Sequence, residues 1–175
     1  GGTCRWDGVD VRDLDADVVR SRIAFVDDDP HLFAGTLGAN LLLAQPGASD
    51  DEVRAALRRA GLGGWLDELT DGLDTHLGEY LVGAGRDGAE TAGTATERSI
   101  SGGERARLGI ARALLSERPV IALDEPVAHL DGPTADAVIR DLLEASGGRT
   151  VVMVSHHPVA FDALDRVVEL EFARA

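Results

Sequence analysis

The sequence predicts an α/β fold, a parallel sheet interrupted by a helical insertion between Asp27 and Ser101. Two observations carry this expectation. Three short apolar runs, Arg22–Val26 (RIAFV), Pro119–Leu123 (PVIAL) and Thr150–Val154 (TVVMV), have the length and residue types of buried strands. The last two are almost wholly apolar, as strands covered on both faces should be. Between the first run and the second, from His31 to about Leu69, the periodicity is helical instead.

Taken in order, Trp6-Asp7-Gly8 reads as a tight turn between two short extended pieces. Ala16–Ser21 is a short helix, and the strand after it stops at Asp27-Asp28-Asp29-Pro30. Asp50-Asp51-Glu52 opens a helix running through Leu57, Ala60 and Leu62, with acids in the first turn where the helix dipole favours them. Trp65-Leu66 and Leu69 suggest another helical turn. Gly83–Arg98 is built mainly of Gly, Ala and Thr without large apolar residues, and is expected to be a mobile loop. A helix from Ser101, a strand over Pro119–Leu123, a helix from about Pro133 to Ala145 ending at Gly147-Gly148, and the strand Thr150–Val154 follow. Phe161–Leu164 is expected to be a short helix and Arg166–Phe172 a last strand.

With 175 residues, 44% hydrophobic and 27% charged, the chain has the size and composition of one globular domain. No apolar run approaches the ~18 residues of a membrane-spanning helix, and no signal-peptide pattern is legible. A net charge of −14 argues against nucleic acid as a partner, because phosphate backbones need a basic footprint. The lone Cys4 excludes a disulfide within the chain. All seventeen basic residues are arginine, so a phosphate loop of the form G-x-x-x-x-G-K-S/T is absent from these residues.

Three places carry chemistry. The helix after Ser101 begins with two glycines, although each lowers helix stability by about 1 kcal/mol relative to alanine. Ser101 and Glu104 form the pattern of a capping box, which explains both polar residues and neither glycine. Gly102 and Gly103 fit a close approach of backbone N–H groups to an anion such as phosphate. The apolar strand ending at Leu123 runs into Asp124 and Glu125. At the carboxyl end of a parallel strand, the first acid can hold Mg²⁺ through its water shell and the second can take a proton from an attacking water. The other reading is a strand reaching solvent at a charged turn. The strand ending at Val154 is followed by Ser155 and His156, either an ordinary turn or a histidine set to hydrogen-bond a phosphate. Asp131 likewise reads as an N-cap of the next helix.

In their order these segments resemble the ATP-binding-cassette (ABC) ATPase family. Within the resemblance, ISGGE is the signature motif, VIALDE the Walker B strand, AHLD the D-loop, His156 the switch histidine, DDDPHLF the Q-loop, and Thr75–Glu79 the x-loop of exporter-type members. The resemblance implies a partial P-loop NTPase (RecA-like) parallel sheet with an inserted α-helical subdomain. Residues 1–30 would end the N-terminal β region and Q-loop, 31–100 form the helical subdomain, and 101–175 carry the signature helix, Walker B, D-loop and switch histidine.

It implies the C-terminal part of an exporter's nucleotide-binding domain, on the cytoplasmic face of the membrane and attached through a membrane domain not present in this chain. ATP and Mg²⁺ would be its ligands, with Glu125 as general base, Asp124 on the metal and His156 on the γ-phosphate. Ser101, Gly102, Gly103 and Glu104 would face the nucleotide of a second nucleotide-binding domain, in a homo- or heterodimer, with Asp131 at the seam. The isolated chain, without a phosphate loop, would be inactive.

The family's Q-loop glutamine is replaced by Asp28, which is expected to favour the metal. The residues flanking the motifs are similar to the heterodimeric thiol-reductant exporters needed for assembly of cytochrome bd. Two other readings stand beside this one: a non-catalytic module that lends its signature helix to a partner's site, and an ABC ATPase of DNA repair, which the acidity opposes.

Overall fold

A computed structural model describes residues 2–77, 100–128, 130–156 and 161–169. The Gly83–Arg98 loop, Gly78 and Glu79, His129 and His157 lie outside the described residues.

Arg5–Trp6 (β1) and Val9–Asp10 (β2) pair antiparallel. Asp7 and Gly8 turn between them at φ 48° and 84°. The helix Ala16–Arg22 (α1) is N-capped by the Asp15 side chain, and Arg22 closes it rather than opening the following strand. That strand, Ile23–Val26 (β3), pairs parallel with Val120–Asp124 (β6), which pairs parallel with Thr150–Val154 (β7), so the sheet order is β3-β6-β7. The register aligns Val26 with Leu123 and Leu123 with Met153, bringing the carboxyl ends of all three strands to one edge.

The insertion contains Leu37–Leu42 (α2), Asp50–Arg59 (α3) and Gly63–Asp67 (α4). The two-residue strands Gly35–Thr36 (β4) and His76–Leu77 (β5), which periodicity cannot reveal at that length, pair antiparallel at its base. α3 starts at a capping box made by Ser49 and Glu52, one residue before the three acids.

Gly102–Leu115 (α5) buries Ala106, Leu108, Gly109, Ile110, Ala111, Ala113, Leu114 and Leu115, and packs between the sheet and helices α2 and α3. Gly132–Ala145 (α6) is capped by Asp131, with Pro133 in its first turn, and buries Ala135, Val138, Ile139 and Leu142. Arg107 of α5 donates to Asp141 Oδ2 of α6 at 2.8 Å and to the Ala60 carbonyl at 3.0 Å. Gly61 stands beside that guanidinium at φ +74°, and a Cβ there would collide with it.

Two expectations are corrected. The strands are covered on one face only: Ala24, Val26, Ile121 and Leu123 are buried, whereas Phe25, Val152 and Val154 are more than half exposed. Helices α5 and α6 supply the apolar contacts of one face, and among the described residues nothing covers the other. The expected last strand is not formed over Arg166–Glu169, which pair with no strand among the described residues and are exposed; residues 170–172 lie outside them. Phe161–Ala163 forms a single 3-10 turn.

Ile139 is fully buried. Ile139→Ala should lower unfolding free energy by about 2–5 kcal/mol, measured by urea denaturation. The Asp131 carboxyl is held below the ordinary carboxylate range, first by the Thr134 hydroxyl and then by the Thr134 N–H. Its stabilising effect is therefore full above the unfolded-state pKa and is lost as pH falls through the folded value. Asp131→Asn, which still caps but does not titrate, should flatten this part of the acid limb in a stability-versus-pH series.

Candidate functional site

The site is built where the carboxyl ends of parallel strands meet, the usual ligand position in α/β sheets. β6 delivers Asp124 in the ladder opposite Val154, with its side chain exposed. The chain then turns sharply. Glu125 adopts φ +45°, a conformation that strains a residue with a side chain by about 1–3 kcal/mol and concentrates at functional sites. Its N–H donates to the Val154 carbonyl at 2.9 Å, so β7 holds the turn in place.

This turn brings Glu125 to His156, 31 residues away in sequence. The His156 N–H donates to Glu125 Oε1 at 2.9 Å, and His156 Nδ1 lies 2.7 Å from the same oxygen. Glu125 Oε2 is buried with no hydrogen-bond partner among the described residues. An orphaned carboxylate oxygen is costly unless water or a ligand meets it. Glu125 and His156, two residues singled out separately in the sequence, are thus one unit in the fold.

Asp28 follows β3 at the same sheet edge. It sits in an exposed acidic turn in which its N–H donates to Asp27 Oδ1 at 3.0 Å and its Oδ1 accepts the Asp29 N–H at 2.9 Å. No cluster of three or more His, Cys, Asp or Glu set to hold a metal occurs among the described residues. The donor set is a single exposed strand-end carboxylate with further acids nearby. This fits Mg²⁺, which keeps several waters and takes few protein ligands, better than it fits a metal needing a closed protein cage.

At the start of α5 the capping box is complete. The Ser101 N–H donates to Glu104 Oε2 at 2.7 Å, and the Glu104 N–H donates to Ser101 Oγ at 3.2 Å. Both polar residues are therefore occupied in capping. The glycines are not required by the fold: a Cβ at Gly102 would meet nothing within 4 Å, and one at Gly103 would make an ordinary 3.5 Å contact with Leu130. A cavity of 260 Å³ joins Asp28, Asp29, Gly102, Arg105, Pro126 and Leu130, so the acidic turn and the glycine helix start share one opening. Asp131 acts as the N-cap of α6 and accepts from Thr134.

Two residues escaped sequence reading. Asn40, 2% exposed within α2, bonds through its side chain to Phe33 and Thr36, and Arg112 of α5 reaches both it and His31. The available signal was a polar residue on the apolar stripe of Leu37 and Leu41, since a buried amide requires partners.

The ABC transporter family pattern matches residues 1–128. The mycobactin import ATP-binding/permease protein IrtB of Mycolicibacterium thermoresistibile is 40% identical over 173 residues, 99% of this chain and 27% of that protein. The cyclolysin secretion/processing ATP-binding protein CyaB of Bordetella pertussis is 35% identical over 165 residues, 94% of this chain and 21% of that protein. A bacterial Atm1-family ABC exporter solved with ATP bound superposes at a TM-score of 0.68 with 28% identity, covering 86% of this chain and 24% of that one. The chain thus spans about a quarter of the length of these relatives. With motif order, parallel sheet and sequence likeness in agreement, the chain belongs to the ABC transporter family.

Proposed function

We propose that the chain is the C-terminal part of the ATPase domain of an ABC exporter, in which Mg-ATP hydrolysis at a dimer interface is coupled to transport. The contact between Glu125 and His156 carries this reading. It holds one carboxylate oxygen by two nitrogens and leaves the other for a water. Glu125 serves as general base toward the attacking water, while His156 orients the Glu125 carboxylate and donates toward the terminal phosphate. Asp124 would hold Mg²⁺, with Asp28 as a further acidic neighbour, and the ion would supply neutralisation of phosphate charge.

Gly102 and Gly103, open on this chain's own side, present backbone N–H groups to a nucleotide on the partner domain. Ser101 and Glu104 fix the helix start that aims them. Asp131, capping α6 beside this surface, lies at the dimer seam in this reading. The permease part in the name of one relative supports a membrane domain. That relative's name says import, another's says secretion, and the export direction draws on the latter and on the solved exporter. Among the described residues no helix is long and apolar enough to cross a membrane. In this reading the chain lies on the cytoplasmic face, attached through a separate membrane domain of the kind named in one relative's permease part. The finer likeness to thiol-reductant exporters rests on residues flanking the motifs.

A second reading draws on the absence of lysine. These 175 residues cannot supply the lysine of a phosphate loop, so by themselves they would only lend the signature helix to a partner's site.

Glu125→Gln in the full-length protein should lower ATP turnover by roughly 100-fold or more while nucleotide affinity stays near wild type, measured by phosphate release and calorimetric titration. Wild-type turnover would exclude Glu125 as the base and favour the second reading. Gly102→Asp should leave nucleotide binding near wild type but abolish ATP-driven association of the two domains, read by crosslinking across the seam. Wild-type association would refute the in-trans role of the glycines.

A further inference from the structure

Three residues of α5, Arg105, Gly109 and Arg112, are spaced i, i+4, i+7 and so form one stripe along the helix. Each meets one of three consecutive residues that follow the Asp28 turn. Arg105 pairs with Asp29 at 3.5 Å. Gly109 faces the buried Pro30: a Cβ at 109 would come within 2.6 Å of Pro30 Cγ and 3.2 Å of Val26 Cγ1. Arg112 donates to the His31 carbonyl at 2.5 Å.

The last of these contacts is the most developed. Arg112 also donates through Nε to the Asn40 carbonyl at 2.9 Å and through its second terminal nitrogen to Asn40 Oδ1 at 2.6 Å. Asn40 Oδ1 in turn accepts the Phe33 N–H at 2.9 Å, and its amide nitrogen donates to the Phe33 carbonyl at 2.8 Å and the Thr36 carbonyl at 3.0 Å. A single guanidinium thus fastens both the His31–Thr36 segment and the end of α2 to α5. Its planar fork is what makes three directed bonds possible. A glycine inside a helix lowers stability by about 1 kcal/mol relative to alanine, and the close approach of Pro30 accounts for glycine at 109.

The geometry points to a strap: Asp29, Pro30 and His31 are fastened along the 105/109/112 stripe, so the Asp28 turn and the glycine start of α5 form one rigid unit. Gly109 and Arg112 are positioning residues that act on Asp28. The exposed Arg105–Asp29 pair adds little by itself, because solvent screens it. The consequence for catalysis rests on the ATPase reading above, whereas the strap itself does not.

The test uses the full-length protein and two variants, Gly109→Val and Arg112→Lys. Lysine keeps the charge and loses the fork. Without nucleotide, amide exchange at Phe33 should rise by roughly ten-fold or more in both, as loss of charge-assisted hydrogen bonds predicts. Leu108, Ile110 and Ile121 should keep wild-type protection. Unchanged Phe33 exchange in Arg112→Lys would overturn the strap, and this variant decides the matter if Gly109→Val unfolds α5.

A double-mutant cycle then reads positioning apart from structure. Asp28→Gln should shift the Mg²⁺ dependence of ATP turnover in the wild-type background and have little effect in Arg112→Lys. An equal shift in both backgrounds would refute the positioning role. A wild-type protein without ATP turnover would instead sink the proposed function, leaving the exchange measurement to decide the strap.

Discussion

The burial of α5 is the constraint on which the rest depends. Eight of its fourteen residues are buried, against the sheet on one side and the insertion helices on the other. A helix so enclosed cannot shift without repacking Leu108, Ile110 and Leu114, all 1% exposed or less. The glycine start and the Asp29–His31 segment are both referenced to it. Its first turn carries the capping box and the open glycines, its middle receives Pro30, and its far end holds α2 through Arg112. Close packing makes such an element a rigid frame rather than a deformable one.

The arginines explain how an acidic chain holds this frame without lysine. Arg107, Arg112, Arg118 and Arg149 donate to backbone carbonyls of residues distant in sequence or at helix ends, including Ala60, His31, Ile23 and Ser146. Burial lowers the pKa of Arg112 and Arg149, in the second case together with repulsion from Arg59, yet a guanidinium stays charged through such shifts. The aspartates and glutamates are left mainly to caps and exposed pairs, such as Arg140 with Asp162. The division of labour is physical: a forked donor can satisfy several carbonyls at once, and solvated carboxylates need no partner.

Much of the fold was legible. The apolar runs at Val120–Leu123 and Thr150–Val154 became strands because β-branched and aliphatic residues over four or five positions leave few alternatives. The helix start at Ser101 followed from its capping box and the start at Asp50 from three acids in the first turn, signals that are local and therefore written in adjacent residues. The coverage of the sheet was misjudged because apolar composition reports what a strand tolerates, not what lies against it. Phe25, Val152 and Val154 are exposed here although their types suggest burial. Of the strand expected over Arg166–Phe172, the described residues Arg166–Glu169 pair with no other strand, since alternation alone does not say which edge a segment joins.

Sequence alone determined the order of motifs, the strand-end acids, the paired glycines and the family likeness, because each is a property of neighbouring residues. Tertiary structure decided which of them meet. It turned Glu125 to a positive φ and set it on His156, left Gly102 without a neighbour of its own, and ran Asp29–His31 along one stripe of α5. Those contacts join residues 31 to 81 positions apart, and no local propensity encodes the distance between them. The β6–β7 ladder brings Glu125 to His156, and the packing of α5 against the sheet and the insertion brings Asp29–His31 to its own stripe.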